Sequence, residues 1–477
     1  MNKKLTYQSN GFFDEYITNN SSPRKGFKRS IGFFNSLTGS QKIYFKKLCE
    51  SSISSMGVTF QLNADELKDR LWPLDLIPRI ISLNKWEIVE CGLSQRVKAL
   101  NLFINDVYNK QEFLNKNPVL KDLILDSPNF LSECMGISPK NKVWSNICGT
   151  DLIRNHNGDF FVLEDNLRVP SGVAYMLENR NIMKRVIPEL FNSYEVNPVD
   201  DYPSQLYQCL CDASFSTNQK KTIVVLTPGV FNSAYFEHSY LAQQMGVELV
   251  EASDLYVSRS GNVLMKTING PKKIDVIYRR VDDIYLDPKT WLKNSTLGIP
   301  GIYKSWKSKK IAIVNAPGSG VADDKAVYAY VPKMIKFFLN ERPIISQVKT
   351  YVCAIKKELD YVVNNIDQLV LKPVNESGGY GILIGPQASK SELKEYKLKI
   401  MNNPRNFVAQ PLIRLSTAPT LIGKNIVPRH LDLRPFILSG KKSFVTKGGL
   451  TRVAMKKGST IVNSSQGGGS KDTWIAD

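Results

Sequence analysis

The chain has 477 residues, of which 42% are hydrophobic and 22% charged, a balance that excludes intrinsic disorder and leaves room for two or three domains with substantial cores. The 63 Lys and Arg against 44 Asp and Glu give a formal charge of +19, but basic groups such as Arg24-Lys25 and Lys307 to Lys310 are dispersed and join no recognisable nucleic-acid module, which argues against nucleic acid as the partner. No apolar run is long enough to cross a bilayer, Met1 to Asn10 lacks a signal-peptide core, and seven cysteines, an odd number, suit reduced thiols, so a cytoplasmic protein is expected.

Residues 1–70 are polar and read as mostly helical, with Ser21-Ser22-Pro23 as a loop. Residues 71–200 read as a helical segment followed by a hairpin. The spacing of apolar residues from Trp72 to Phe113 predicts helices, with a clear helical period over Gly92 to Phe103. After it, His156-Asn157-Gly158-Asp159 has the chemistry of a tight turn, and Phe160-Phe161-Val162-Leu163 is a β-favouring run that carries Glu164 and Asn166 to the end of its strand. Glu164 and Asn166 are two apart and point to one face. With Asp151 beginning the partner strand, the three would supply the hard oxygen ligands that Mg²⁺ prefers and leave positions open for phosphate. Val169-Pro170-Ser171-Gly172 then makes a turn into a helix that runs past Arg180 and Arg185.

Residues 201–320 predict a βαβ layer: strands at Thr222 to Thr227, Val247 to Val250, Ile274 to Tyr278 and Ile311 to Asn315, with a helix from Phe236 to Met245. Residues 321–477 alternate β runs at Leu369 to Lys372, Gly381 to Ile384 and Phe407 to Gln410 with helical stretches, as in an α+β domain able to close over a ligand. Lys372 ends a strand just before Ser377-Gly378-Gly379-Tyr380-Gly381, a turn that can aim backbone N–H groups at phosphate oxygens beside a lysine point charge. A Walker A loop is excluded, because Gly318-Ser319-Gly320 is not followed by Gly-Lys-Ser/Thr. The dinucleotide fingerprint fails at Asp323. With three histidines and no Gly-x-Ser-x-Gly, a nucleophilic triad has no support. Arg168, Arg280, Arg434 and Arg452 lie beside acidic or glycine-rich positions and are candidates to clamp phosphate or a substrate carboxylate. The tail from Gln466 to Lys471 is either a substrate-side element or an exposed terminus.

Taken together, Asp151-Leu-Ile-Arg154, Leu163-Glu-Asp-Asn-Leu-Arg-Val-Pro-Ser-Gly172, Arg279-Arg-Val-Asp-Asp283, Asp324-Lys-Ala326, Leu371-Lys-Pro373 and Ser464-Ser-Gln-Gly-Gly-Gly-Ser470 resemble the circularly permuted ATP-grasp proteins, related in fold to glutathionylspermidine synthase. Permutation accounts for Glu164-Asp-Asn166 preceding Lys325 and Lys372. The resemblance implies a mixed α/β and α+β fold with a central βαβ layer and a C-terminal ATP lid. It further implies that Asp151, Glu164 and Asn166 are Mg²⁺ ligands, that Lys325 and Lys372 contact ATP, that Ser377, Gly378, Gly379 and Gly381 belong to the phosphate-covering loop, and that Phe407 to Gln410 meets adenine. One departure is that Gly149-Thr150 precedes Asp151 where a relative has Arg-x-Asp, so Arg154 or Arg168 would have to substitute. The implied activity is ATP-dependent ligation of a small-molecule or peptide carboxylate to an amine through an acylphosphate, with ATP and Mg²⁺ as cofactors. Other readings are a nucleotide-binding scaffold, an ATP-dependent phosphotransferase and a basic RNA- or DNA-associated protein. Nothing in the sequence speaks to oligomeric state.

Overall fold

A computed structural model of the chain describes residues 9, 11–57, 59–60, 70–374, 381–456, 458–459, 462 and 467–477. Its backbone is a ten-stranded mixed sheet whose main path runs Ser346–Gln347, Phe160–Asn166, Ile147–Arg154, Asn425–Arg434, Leu450–Val453, Gly469–Ile475 and Leu74–Ile81. The hairpin of Ile147–Arg154 and Phe160–Asn166 forms as the alternation predicts, with its turn over Asn155 to Asp159 and Gly158 at φ 83°. Residues Leu83–Val107 form one 25-residue helix that packs against the strands Phe436–Ser439 and Ser443–Val445. Gly92 on that helix lets Ile345 approach, since an added Cβ would lie 2.5 Å from the Ile345 side chain.

Two expectations are corrected. The first helical stretch read from Trp72 onward begins instead with a strand, Leu74–Ile81, which ends the sheet path and pairs in parallel with Gly469–Ile475. Pro78 would break a helix interior, whereas a strand at the sheet margin tolerates it, and the isoleucines around it are buried. The glycine-rich tail is not an exposed terminus where it is described. Gly469–Ile475 is a fully buried strand, and Lys471, with no exposed surface, is paired to Asp75. Gln466 lies outside the described residues.

The βαβ layer is a four-stranded parallel sheet in the order Ala312–Val314, Val276–Arg279, Ile223–Leu226, Glu248–Val250. Chain order moves outward from Ile223–Leu226 to Glu248–Val250 and then reverses to the other side. The reversal places a topological switch point between Ile223–Leu226 and Val276–Arg279, at whose carboxyl ends ligands characteristically bind. A third sheet, Tyr351–Val352, Phe407–Pro411, Leu369–Pro373 and Leu383–Ile384, carries its own small core of Cys353, Leu371, Ile400 and Ala409. It brings the strand ending in Lys372 to the hairpin. Among the described residues no helix is long and apolar enough to cross a membrane.

Candidate active site

Asp151 sits within its strand, directly opposite Glu164, so the two carboxylates share one face of the hairpin. Like charges so placed repel, and the structure answers with arginine. Arg434 Nε and Nη2 donate to the two Asp151 oxygens at 2.5 and 2.8 Å, and Arg452 Nη2 donates to Asp151 Oδ2 at 2.7 Å. Burial alone would raise the Asp151 carboxyl, but the two guanidinium groups overcome it and hold the carboxyl down at about 2. Arg452 also grips Asp432, whose own carboxyl burial pushes upward. Asn166 lies opposite Gly149, and its Nδ2 donates to the Gly149 carbonyl at 3.2 Å, which orients the amide. Asp165, between Glu164 and Asn166, points to the other face and is buried against Arg96, with contacts of 2.6 to 3.0 Å. That pair ties the hairpin to the long helix.

The face that carries Glu164 opens on a small cleft lined by Glu164, Asp323, Lys325, Tyr328, Lys372 and Gln410. Lys325 is the first residue of a short helix capped by Asp324, whose side chain accepts from Ala326 N at 2.8 Å. Lys372 is buried at 9% exposure, and its Nζ donates to Gln410 Oε1 at 2.7 Å, while Gln410 Nε2 in turn donates to Thr350 Oγ1 at 2.9 Å. Burial pushes the Lys372 ammonium down to about 8, Glu164 and Asp151 oppose the fall, and Lys325 adds to it. A buried ammonium whose hydrogen-bond partner is a neutral amide oxygen is a site short of one anion. Of the loop expected over the phosphates, Gly381 is described, at φ 67° with its carbonyl accepting from the Tyr396 hydroxyl, whereas Ser377, Gly378 and Gly379 lie outside the described residues.

The four candidate arginines divide. Arg280 is buried, donating to the Pro170 carbonyl at 2.8 Å, Ser171 Oγ at 2.5 Å and Glu237 Oε1 at 3.0 Å. Glu237 also accepts from Gly172 N and Ala174 N at 2.7 and 3.1 Å, so this pair fixes the turn that starts the next helix. Arg434 and Arg452 are held by Asp151 and Asp432. Arg168 is the most open, with a side chain 32% exposed, 3.0 Å from Asp282 and 3.7 Å from Asp323. The charge chemistry of Asp282 and Asp323 went unread in the sequence, although Asp282 lies in Arg279-Arg-Val-Asp-Asp283 and Asp323 is the residue that breaks the dinucleotide fingerprint. Burial raises the Asp323 carboxyl to about 7 despite Arg168, with Glu164 and Asp283 adding to the rise.

Among the described residues no group of three or more His, Cys, Asp or Glu side chains converges as a metal cage.

A family model for circularly permuted ATP-grasp type 2 proteins matches residues 78–454. An uncharacterized Synechocystis protein is 46% identical over 472 residues, covering 98% of both chains, and a Mycobacterium tuberculosis protein, also uncharacterized, is 49% identical over 420 residues, covering 88% of this chain and 76% of its own. A Frankia casuarinae protein named "Putative glutamate--cysteine ligase 2-2" is 40% identical over 429 residues, 89% of this chain but 49% of that protein, so the chain spans about half of its length. Among solved structures, a glutathione synthetase-like effector from Globodera pallida in its apo form matches with a TM-score of 0.61 at 11% identity, covering 92% of this chain and 98% of that one, a likeness of fold.

Proposed function

The chain belongs to the circularly permuted ATP-grasp type 2 family, and from that premise we propose that it is an ATP-dependent carboxylate–amine ligase that makes an amide through an acylphosphate. The observation that carries the reading is the cleft itself, where Glu164, Lys325, Lys372 and Gln410 arrive from four separate segments of chain. Lys325 and the anion-deficient Lys372 would bind the phosphates of ATP, with Gln410 and Thr350 fixing the ammonium of Lys372. Glu164 and Asn166 would hold Mg²⁺, and Asp151 would reach it only by giving up one of its two arginines. When bound, the ion neutralises charge on the phosphates.

The chain's own part is to place and shield the reactants, which is why it needs no nucleophile of its own. A carboxylate oxygen of the acid attacks the γ-phosphorus as the bond to ADP breaks. An amine nitrogen then attacks the acyl carbon, phosphate leaves with the C–O electron pair, and the nitrogen releases its proton. Arg434 and Arg452 would steady this end of the sheet, since their guanidinium groups are fixed before substrate arrives. The substrates would be small molecules or peptides, and the setting the cytoplasm.

Calorimetry of Mg·ATP against the native protein, Glu164→Ala and Lys372→Ala tests the nucleotide site. Both substitutions are expected to weaken binding by about tenfold or more, as for loss of a charged hydrogen bond. Absence of binding in the native protein would sink the reading. Phosphate appearing free in solution with an acid and an amine present supports ligation, whereas phosphate retained on a substrate would make the protein a phosphotransferase.

A further inference from the structure

Lys325 and Lys372 reach the cleft from different segments, yet a single strand supports both. Phe407–Pro411 carries Gln410 near its far end, where the amide oxygen accepts from Lys372 Nζ at 2.7 Å. Just before the strand begins, in the single turn Pro404–Asn406, Arg405 turns to the other lysine. Its Nη2 donates to Asp324 Oδ2 at 3.0 Å, and Asp324 is the residue that caps the short helix opened by Lys325. Asn406 adds a second line to the same place. Its carbonyl accepts from Val374 N at 3.0 Å, and the Val374 carbonyl accepts from Lys325 N at 3.3 Å.

Asp324 is 1% exposed, so water does not solvate its carboxylate and a counter-charge must. Burial pushes the Asp324 carboxyl up, and Arg405 is the first group to oppose that rise, ahead of the Ala326 N–H and Lys325. Arg405 Nη2 also donates to the Leu123 carbonyl at 2.6 Å, which anchors the guanidinium to the helix Pro118–Leu125 as well. Both bonds are made by one nitrogen, while Arg405 Nη1 is buried with no hydrogen-bond partner. Arg405 is not among the residues that line the cleft, so it has no direct part in holding a ligand there.

We propose that Arg405 is a positioning residue for Lys325: through the Asp324 carboxylate it fixes the short helix that aims this lysine, and with Gln410 on the same strand it sets the two lysines against one another. This rests on the reading of the cleft as the nucleotide site. The effect of Arg405 on a nucleotide passes through Lys325 and not through Lys372, which Gln410 holds separately.

Calorimetry of Mg·ATP with the full chain traces that route by double-mutant cycles. Arg405→Gln should weaken binding about tenfold, as for loss of one charged hydrogen bond to phosphate. In a Lys325→Met background the same change should cost less than about twofold, because the group it positions is gone, whereas in a Lys372→Met background the loss of about tenfold should remain. Arg405→Lys should restore most of the native affinity, since one ammonium can take both bonds that Nη2 makes and Nη1 has no partner to lose. Asp324→Asn keeps an oxygen for the cap but removes the charge that Arg405 grips. It should reproduce the Arg405→Gln pattern, and it reads the same route where Arg405→Gln does not fold. An ion pair that merely steadied the third sheet would cost the same whichever lysine had been removed. That result, unchanged binding in Arg405→Gln, or an Arg405→Lys protein as weak as Arg405→Gln overturns the proposal. Native protein that does not bind Mg·ATP refutes the nucleotide reading itself, whereas native binding with additive losses refutes only the role given to Arg405.

Discussion

Lys372→Met should make the ligand-free protein more stable and the nucleotide weaker-bound. The folded chain holds the Lys372 ammonium at about 8 against an ordinary 10.5, chiefly because of burial. At ~1.36 kcal/mol per pH unit this corresponds to a burial penalty of about 3 kcal/mol. Methionine has a similar shape without the charge. Removing the ammonium leaves Gln410 Oε1 without its donor, which costs about 1–2 kcal/mol, so a net gain of about 1–2 kcal/mol is expected at pH 7. The pH dependence identifies the cause. Below pH 8 folded and unfolded chains both carry the proton and the native fold bears the whole penalty. Between pH 8 and 10.5 the unfolded chain binds the proton more tightly, so native stability rises with pH and the advantage of the variant shrinks toward zero or below. Urea denaturation of both proteins at pH 7, 8.5 and 10 measures the difference, and Mg·ATP calorimetry at the same values measures the function. Native affinity should fall as pH rises above 8, by up to about tenfold per pH unit, while the variant shows little of that fall. A variant that is less stable at pH 7, or a stability gap independent of pH, would refute the argument that Lys372 is a buried charge awaiting an anion.

Other substitutions separate support from chemistry. Asp165→Ala strands Arg96 in the interior and should cost about 3–5 kcal/mol in denaturant unfolding; unchanged stability would mean the hairpin is not held by this pair. Lys471→Met leaves Asp75 buried and unpaired and should cost a similar ~3–5 kcal/mol, with Lys471→Met/Asp75→Leu regaining much of it. Retained stability with lost turnover would return Lys471 to the substrate side. Gly172→Ala is strained twice over, by φ 118° and by a Cβ 2.8 Å from Leu450 Cδ2, and should lower stability by about 1–3 kcal/mol while disturbing the turn that Glu237 holds. An alanine variant with native melting and native activity would show that this turn can give way.

What the residues determine by themselves is local and periodic. Glu164 and Asn166 share a face because strand side chains alternate, and Asp165 therefore faces away. The β-favouring runs around Ile223, Glu248, Val276 and Ala312 become strands of one parallel layer, and Lys372 falls near the end of a strand, because these follow from short-range pattern. Even there, composition misjudged Leu74–Ile81, whose strand state depends on Gly469–Ile475 nearly four hundred residues later. Only the tertiary structure decided which charges meet. Four arginines of equal promise in the sequence became a sealed strut at Arg280, two grips on Asp151 at Arg434 and Arg452, and one open guanidinium at Arg168. The glycine-rich tail became a core strand, and Asp323, read as the residue that spoils a motif, became a wall of the cleft. Side-chain type fixes what a group can bind, but burial and the partner it meets fix whether its charge is spent inside the protein or offered to a ligand, and both are set by contacts between segments far apart in the chain.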